Sequence, residues 1–322
     1  MIMLATSGYA EKMTTGPGAS AYFSTPEHSL DPALFTADNR LNPGARDEIL
    51  RPLFDFFKHE GIQNGSWLHA WLAGSGVSYQ WKASRGNGDL DVLLGIDPDR
   101  FAAINPGFAA GSTTQLAATF NEQMKKYLWP LTAAKILGGT TYEVTYYWDP
   151  AVSRDITVIR PYAAWDLIAS GWTVPPDPEP DIRFPHDWYE RAGQDAAHVG
   201  QLYRQWSQNL ADVLLMPDSN PSKVTAAAAL ARVTAELRRT WDTIHDGRRY
   251  AFTGNGKGWG DWANFRWQAA KRNGITDLLR EVIAWDNQRR AAEDTKLYGG
   301  PIAPGEIALR RAAAAHSRWL QP

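Results

Sequence analysis

The stretch Trp172–Pro185 limits what this chain can fold into more than any other feature. It carries five prolines and several acids, a composition that stiffens the backbone and that neither a helix interior nor a central strand can run through. The chain is therefore expected to divide there. Residues 41–171 form one module, 172–185 a linker and 186–322 a second module, preceded by an arm over residues 1–40 with scattered Gly, Pro, Ser and Thr and no sustained periodicity. A length of 322 residues suits two packed units.

The first module has mixed texture. Asn42 followed by Pro43 reads as a helix cap with proline at the first helical position. Ile49, Leu53, Phe56 and Phe57 then recur at helical spacing, and Pro52 inside the run predicts a kink or a later start. Trp67–Ala73 is short and apolar. Asp89–Ile96 is a β-rich run entered from the turn Gly86-Asn87-Gly88, and Gln115–Leu128 reads as a helix. Tyr142–Trp148 and Asp155–Ile159 are β-rich runs expected to pair as a hairpin. The second module is helical: Tyr203, Trp206, Leu210, Val213 and Leu214 mark one helix. Leu230, Val233, Leu237, Trp241 and Ile244 mark a second, capped by Ser222. Leu278, Leu279, Val282 and Ile283 mark a third, and Glu306–Leu320 a fourth. The fold class expected is α+β, with a mixed sheet flanked by helices followed by an all-helical domain.

Composition removes several chemistries. There is no cysteine, hence no disulfide, thiolate metal site or cysteine nucleophile, and any metal must be held by oxygen or histidine. Lys and Arg number 33 against 35 Asp and Glu, a net charge of -2, which excludes a globally basic nucleic-acid coat. No stretch approaches the roughly 20 apolar residues of a membrane span, and Met1–Ala10 lacks the basic start of a secretory signal. A cytoplasmic protein with no membrane partner is expected. The histidine–acid neighbours His186-Asp187 and His245-Asp246 lack supporting His and Asp at metal-site spacings, so they are read as ordinary histidines.

Chemistry concentrates in Gly74-Ser75-Gly76 and the run Gly88-Asp89-Leu90-Asp91-Val92-Leu93-Leu94. Residues two apart on a strand share a face, so Asp89 and Asp91 project together while Leu90 and Val92 enter the core. Two adjacent carboxylates resist double ionisation, a penalty that a divalent cation removes, and an all-oxygen site favours Mg²⁺ or Mn²⁺. The turn at Gly74-Ser75 offers backbone N–H groups, no obstructing β-carbon and a hydroxyl, which suits a phosphate.

An apolar residue, Gly-Ser, a loop and then Asp-x-Asp on a strand resembles the signature of the DNA polymerase β-like nucleotidyltransferase superfamily, over about residues 65–170. That pattern carries a third carboxylate on a later strand. Asp155, in Arg154-Asp155-Ile156-Thr157-Val158-Ile159-Arg160-Pro161, is favoured because it falls on the second strand of the expected hairpin; Glu143 in Tyr142-Glu143-Val144 is the alternative. The resemblance implies two-metal transfer of a nucleoside monophosphate from an NTP to a hydroxyl, with release of pyrophosphate. Asp89, Asp91 and the third acid would hold Mg²⁺ or Mn²⁺. Gly74, Ser75 and Gly88, with Lys82 and Arg85 from the loop between, would hold the triphosphate. The loop of 13 residues between Ser75 and Asp89 is long for the pattern.

The acceptor is left open: an RNA 3′ end, a nucleotide, a small molecule or a protein. The segment Arg238–Arg272 carries eight basic residues against three acids, interleaved with Trp241, Tyr250, Phe252, Trp259, Trp262, Phe265 and Trp267. Such alternation suits RNA, and equally suits a helical bundle with charged outer faces. Gly254–Gly260 reads as a flexible loop, a lid that brings Lys257 to phosphate. The competing reading is a nucleotide- or RNA-binding protein on the same scaffold that performs no turnover.

Overall fold

A computed structural model describes residues 21–23, 25–81, 88–108, 112–179 and 183–298. Helix α1 (Pro43–His59) starts where the cap predicts: the Asn42 side chain accepts from the Gly44 N–H at 2.9 Å, with Pro43 at the first turn. Pro52 sits inside the helix without ending it. An outside donor, the Tyr146 hydroxyl, reaches the Ile49 carbonyl one turn away at 2.7 Å. The apolar face of α1, with Ile49, Leu53, Phe56 and Phe57, is buried.

That face packs on a mixed sheet which, among the described residues, has six strands in the order β3-β4-β2-β1-β5-β6. These are β1 (Leu68–Ala73), β2 (Gly88–Ile96), β3 (Lys135–Leu137), β4 (Thr140–Trp148), β5 (Ala164–Asp166) and β6 (Gly171–Val174). Strand β1 runs antiparallel to β2 and β5, whereas β2 and β4 are parallel. A parallel pair needs a crossover rather than a tight turn. Here it runs through α2 (Pro98–Ile104), α3 (Thr113–Gln123), a π turn at Met124–Leu128 and α4 (Trp129–Thr132).

The two faces of the sheet differ. Leu72, Leu90, Val92, Leu94, Val144 and Trp148 meet α1, Trp67, Phe101 and Phe120 in the main core. On the opposite face, a smaller cluster of Trp71, Ala73, Leu93, Val152, Ile156 and Ala164 covers only part of the sheet, and the chemistry occupies the remainder.

The structure differs from the expected hairpin. Strand β4 pairs with β3 through Gly138 and Gly139, whose φ values of +55° and +83° fit glycine. Ile156–Ile159 is a 3₁₀ helix, not a strand. Local turn chemistry overrides the β-branched composition: the Asp155 carboxylate accepts from the Thr157 N–H at 2.8 Å and hydroxyl at 2.7 Å, and Arg160 closes the turn at φ +46°.

Much of the expected arm is also folded. Leu30, Leu34, Phe35 and Leu41 are buried, and Asp31 accepts from the Tyr142 hydroxyl at 2.6 Å. The first residues of the Pro-rich stretch, Trp172–Val174, precede its prolines and complete β6 at the edge of the described sheet.

Contacts divide the chain into two units, and the division differs from the linear one. The first holds residues 17–191 together with 244–272; the described part of the second holds 192–243 and 273–298. Helices α5 (His186–Leu215) and α6 (Pro221–Ala251) contribute to both units, α7 (Trp262–Arg272) belongs to the first and α8 (Ile275–Tyr298) to the second. In the second unit Leu202, Trp206, Leu230, Leu237, Leu278 and Val282 are buried. Asp286, fully buried, pairs with Arg238, Arg289 and Arg290. The side chain preceding α6 that accepts a backbone N–H is Asn220, from Ser222 at 3.0 Å, so the cap lies before Pro221 and not at Ser222. The expected helix at Glu306–Leu320 lies outside the described residues. Among the described residues no helix is long and apolar enough to cross a membrane.

Candidate active site

The register of β1 against β2 pairs Ala73 with Asp91, so the chain leaves β1 into Gly74-Ser75 directly beside that carboxylate. Gly74 turns at φ +95°, its N–H donating to the Ala163 carbonyl at 3.2 Å, and a β-carbon built on it would sit 3.5 Å from Asp91 Oδ2. A 3₁₀ turn, Ser75–Val77, follows. It lies against the β2 backbone so closely that a β-carbon at Gly76 would come within 2.8 Å of the Asp89 carbonyl oxygen. The Ser78 N–H and hydroxyl both donate to the Ser75 carbonyl, at 3.1 and 2.9 Å, and close the turn.

Asp89 and Asp91 share the partly covered face of β2. Parallel pairing with β4 sets Glu143 beside Asp89 and Thr145 beside Asp91, and the Thr145 hydroxyl donates to Asp91 Oδ1 at 2.9 Å. The Glu143 carboxylate accepts from the Trp129 indole N–H at 2.8 Å.

Three carboxylates thus occupy adjacent positions on two parallel strands. Asp89 keeps access to water but lies in a groove of protein. Partial desolvation first, and the charge of Asp91 second, push it up to about 6, with Glu143 adding to the rise. Burial likewise raises Asp91, against the hydrogen bond from Thr145. Lys271 and Arg248 oppose both shifts, bringing positive charge to this face from α7 and the last turn of α6. The neighbouring Tyr147 hydroxyl is raised by burial and by Asp91.

Asp155 does not join this group. Ser153 and Arg154 are tied to the far end of β2, the Ser153 hydroxyl donating to the Ile96 carbonyl at 3.3 Å and Arg154 pairing with Asp97. At about 3.3 Å per residue, that end is roughly 23 Å along the strand from Asp89. The Asp155 carboxyl, exposed and held by Thr157, is lowered rather than raised. The structure therefore does not bring Asp155 to the pair; of the two expected candidates, the acid on the strand next to it is Glu143. Lys82 and Arg85 lie outside the described residues; Gly88 opens β2, opposite Tyr142 of β4.

Several members of the basic, aromatic segment are engaged in contacts within the protein. Arg238 is committed to Asp286 and Asn287. Phe265 and Trp267 are buried, and Trp262 lies under the Arg191 guanidinium at 3.8 Å. Phe252 stacks on Tyr162, and Arg248 sits over Trp267. Gly254–Gly260 is tethered rather than free: Arg160 donates to the Gly256 carbonyl at 2.6 Å, and Gly256 approaches the Ala251 carbonyl more closely than any β-carbon would permit. His186 pairs with Glu190 and His245 with Asp246.

A divalent cation fits the residues present in part. Asp89 and Asp91 are a same-face oxygen pair in which ionisation of both is disfavoured, the situation a bound cation relieves. Yet among the described residues no three His, Asp or Glu side chains converge into a ready-made metal centre. Mg²⁺ is commonly bound by one or two carboxylates with substrate phosphates and water completing its shell, and the Asp pair beside the Gly74-Ser75 turn meets that lesser demand.

Sequence reasoning did not single out Thr145, Trp129, Arg248 or Lys271 for this site. The two cations stand inside the basic segment already noted, but nothing local ties them to β2. No protein-family model, curated protein or solved structure matches the chain.

Proposed function

We propose that this protein is a metal-dependent nucleotidyltransferase that moves a nucleoside monophosphate from an NTP to a hydroxyl acceptor and releases pyrophosphate. The observation that carries the reading is the pairing of Ala73 with Asp91. It sets a half-buried glycine–serine turn beside two same-face carboxylates on a central strand. Asp89 and Asp91 would hold Mg²⁺ or Mn²⁺. When bound, such an ion supplies positive charge to the phosphate oxygens and lowers the pKa of a hydroxyl.

The chain's own groups account for the rest. Backbone N–H groups around Ser75 orient the outer phosphates, and Lys271 and Arg248 offset charge that builds on the departing pyrophosphate. The acceptor oxygen forms its bond to the α-phosphorus as the bond to the β-bridging oxygen breaks. The hydroxyl proton passes to Glu143, whose carboxylate Trp129 holds in place.

The test uses purified chain with Mg²⁺ or Mn²⁺, each NTP and a panel of hydroxyl acceptors, with pyrophosphate as readout. Release should vanish in Asp89→Ala and Asp91→Ala and persist in Asp155→Ala. Undiminished release in Asp89→Ala refutes the assignment. A second reading, nucleotide or RNA binding without turnover, is favoured by the lack of a three-acid cluster among the described residues. It predicts NTP binding with no pyrophosphate from any acceptor.

A further inference from the structure

The two carboxylates of β2 are not held alike. On β4 the residue beside Asp89 is Glu143, itself an acid whose carboxylate accepts from Trp129. The residue beside Asp91 is Thr145. A threonine hydroxyl has a single proton to donate, and this one goes to Asp91 Oδ1 at 2.9 Å. The other oxygen, Oδ2, lies on the side of the Gly74-Ser75 turn, where a β-carbon built on Gly74 would meet it at 3.5 Å. One oxygen of Asp91 is thus taken up and the second is aimed.

The chain builds this arrangement at three points. Parallel pairing of β2 with β4 fixes Thr145 opposite Asp91. Thr145 is half-buried and β-branched, so few χ1 settings are open to its hydroxyl. Gly74, turning at φ +95°, brings no side chain over Oδ2.

We infer that Thr145 is a positioning residue for the candidate metal site: by occupying Oδ1 it leaves Asp91 to offer one oxygen, Oδ2, on the side of the turn. The inference rests on the proposed transferase reading, in which Asp89 and Asp91 hold Mg²⁺ or Mn²⁺. Groups that hydrogen-bond a metal-ligating side chain orient it, and their loss typically weakens metal binding by about 10–100-fold. A single oxygen from Asp91 also leaves room in the ion's shell for phosphate and water, the company Mg²⁺ usually keeps. Thr145 should therefore matter most when a triphosphate is present.

Calorimetric titration of Mn²⁺ into the full chain, with a non-hydrolysable NTP analogue present, tests this without turnover. Thr145→Val keeps the branched shape and removes the hydroxyl, whereas Thr145→Ser keeps the hydroxyl and loses the methyl. Thr145→Val should bind Mn²⁺ at least tenfold more weakly than wild type, and Thr145→Ser should bind it as wild type does. Thr145→Ala, a second variant without the hydroxyl, should repeat the valine result. A role in packing alone predicts the reverse order, since serine leaves a gap that valine fills. Circular dichroism checks that each variant is folded. Undiminished binding in Thr145→Val, or a loss in Thr145→Ser as large as that in Thr145→Val, overturns the inference and leaves the transferase assignment standing. If wild-type protein binds no Mn²⁺ beside the analogue, both fall together, so the two failures are told apart.

Discussion

Replacing Asp89 by Asn tests whether the face of β2 holds a charge it resists. Burial and Asp91 raise the Asp89 carboxyl from an ordinary 3.8 to about 6. A folded state that binds its proton more tightly than the unfolded chain loses stability as pH rises between those values, and the deficit is constant above them. Taken at face value the shift corresponds to roughly 3 kcal/mol. The side chain reaches water, so solvent screening reduces the expected effect to about 1 kcal/mol. Asn keeps the shape and removes the charge. Asp89→Asn should thus be more stable than wild type by about 1 kcal/mol at pH 7.5 without divalent ions, and the gap should close towards pH 4. Urea denaturation at several pH values measures this directly. A variant equal to or weaker than wild type at pH 7.5, or a gap that widens on acidification, would refute the argument.

Three other outcomes follow from particular contacts. Gly76→Ala forces a β-carbon against the Asp89 carbonyl oxygen and Leu90 Cδ2; thermal or urea melts should show a loss of about 1–3 kcal/mol. Lys271→Met removes a cation that holds Asp89 down, so the carboxylate's midpoint should rise above the wild-type value when followed by carbon-detected NMR. Asp286→Ala strips three arginines of a buried partner. These arginines reach solvent in part, so the second unit should lose about 2–3 kcal/mol rather than unfold outright, as read by hydrogen exchange in α8.

The Asp pair was legible in sequence because its logic is local: alternation on one strand and a glycine-rich entry. The choice between Asp155 and Glu143 was not, because it depends on which strand pairs with β2. Glu143 stands beside Asp89 through parallel pairing across a long crossover, and nothing in the order of residues announces that register. Asp155 is the better placed of the two only if Asp155–Ile159 is a strand. A side chain that hydrogen-bonds its own backbone two residues on turns the chain into a 3₁₀ helix instead. The helices of the second unit were visible from their spacing, as was the α+β class. The return of residues 244–272 to the sheet was hidden, since the rings and cations there serve packing and electrostatics alike. Lys271 and Arg248 make the point: they belong to a basic stretch that suits a helical bundle as well as an RNA surface, and they bring their charge to Asp89 and Asp91.

Manganese binding followed by electron paramagnetic resonance, with a non-hydrolysable NTP analogue present, addresses the carboxylate pair most directly. Wild-type protein should sequester the ion, and Asp89→Asn and Asp91→Asn should each release it, while Asp155→Asn behaves as wild type. Undiminished sequestration in the two β2 variants, or loss in Asp155→Asn alone, would contradict the account.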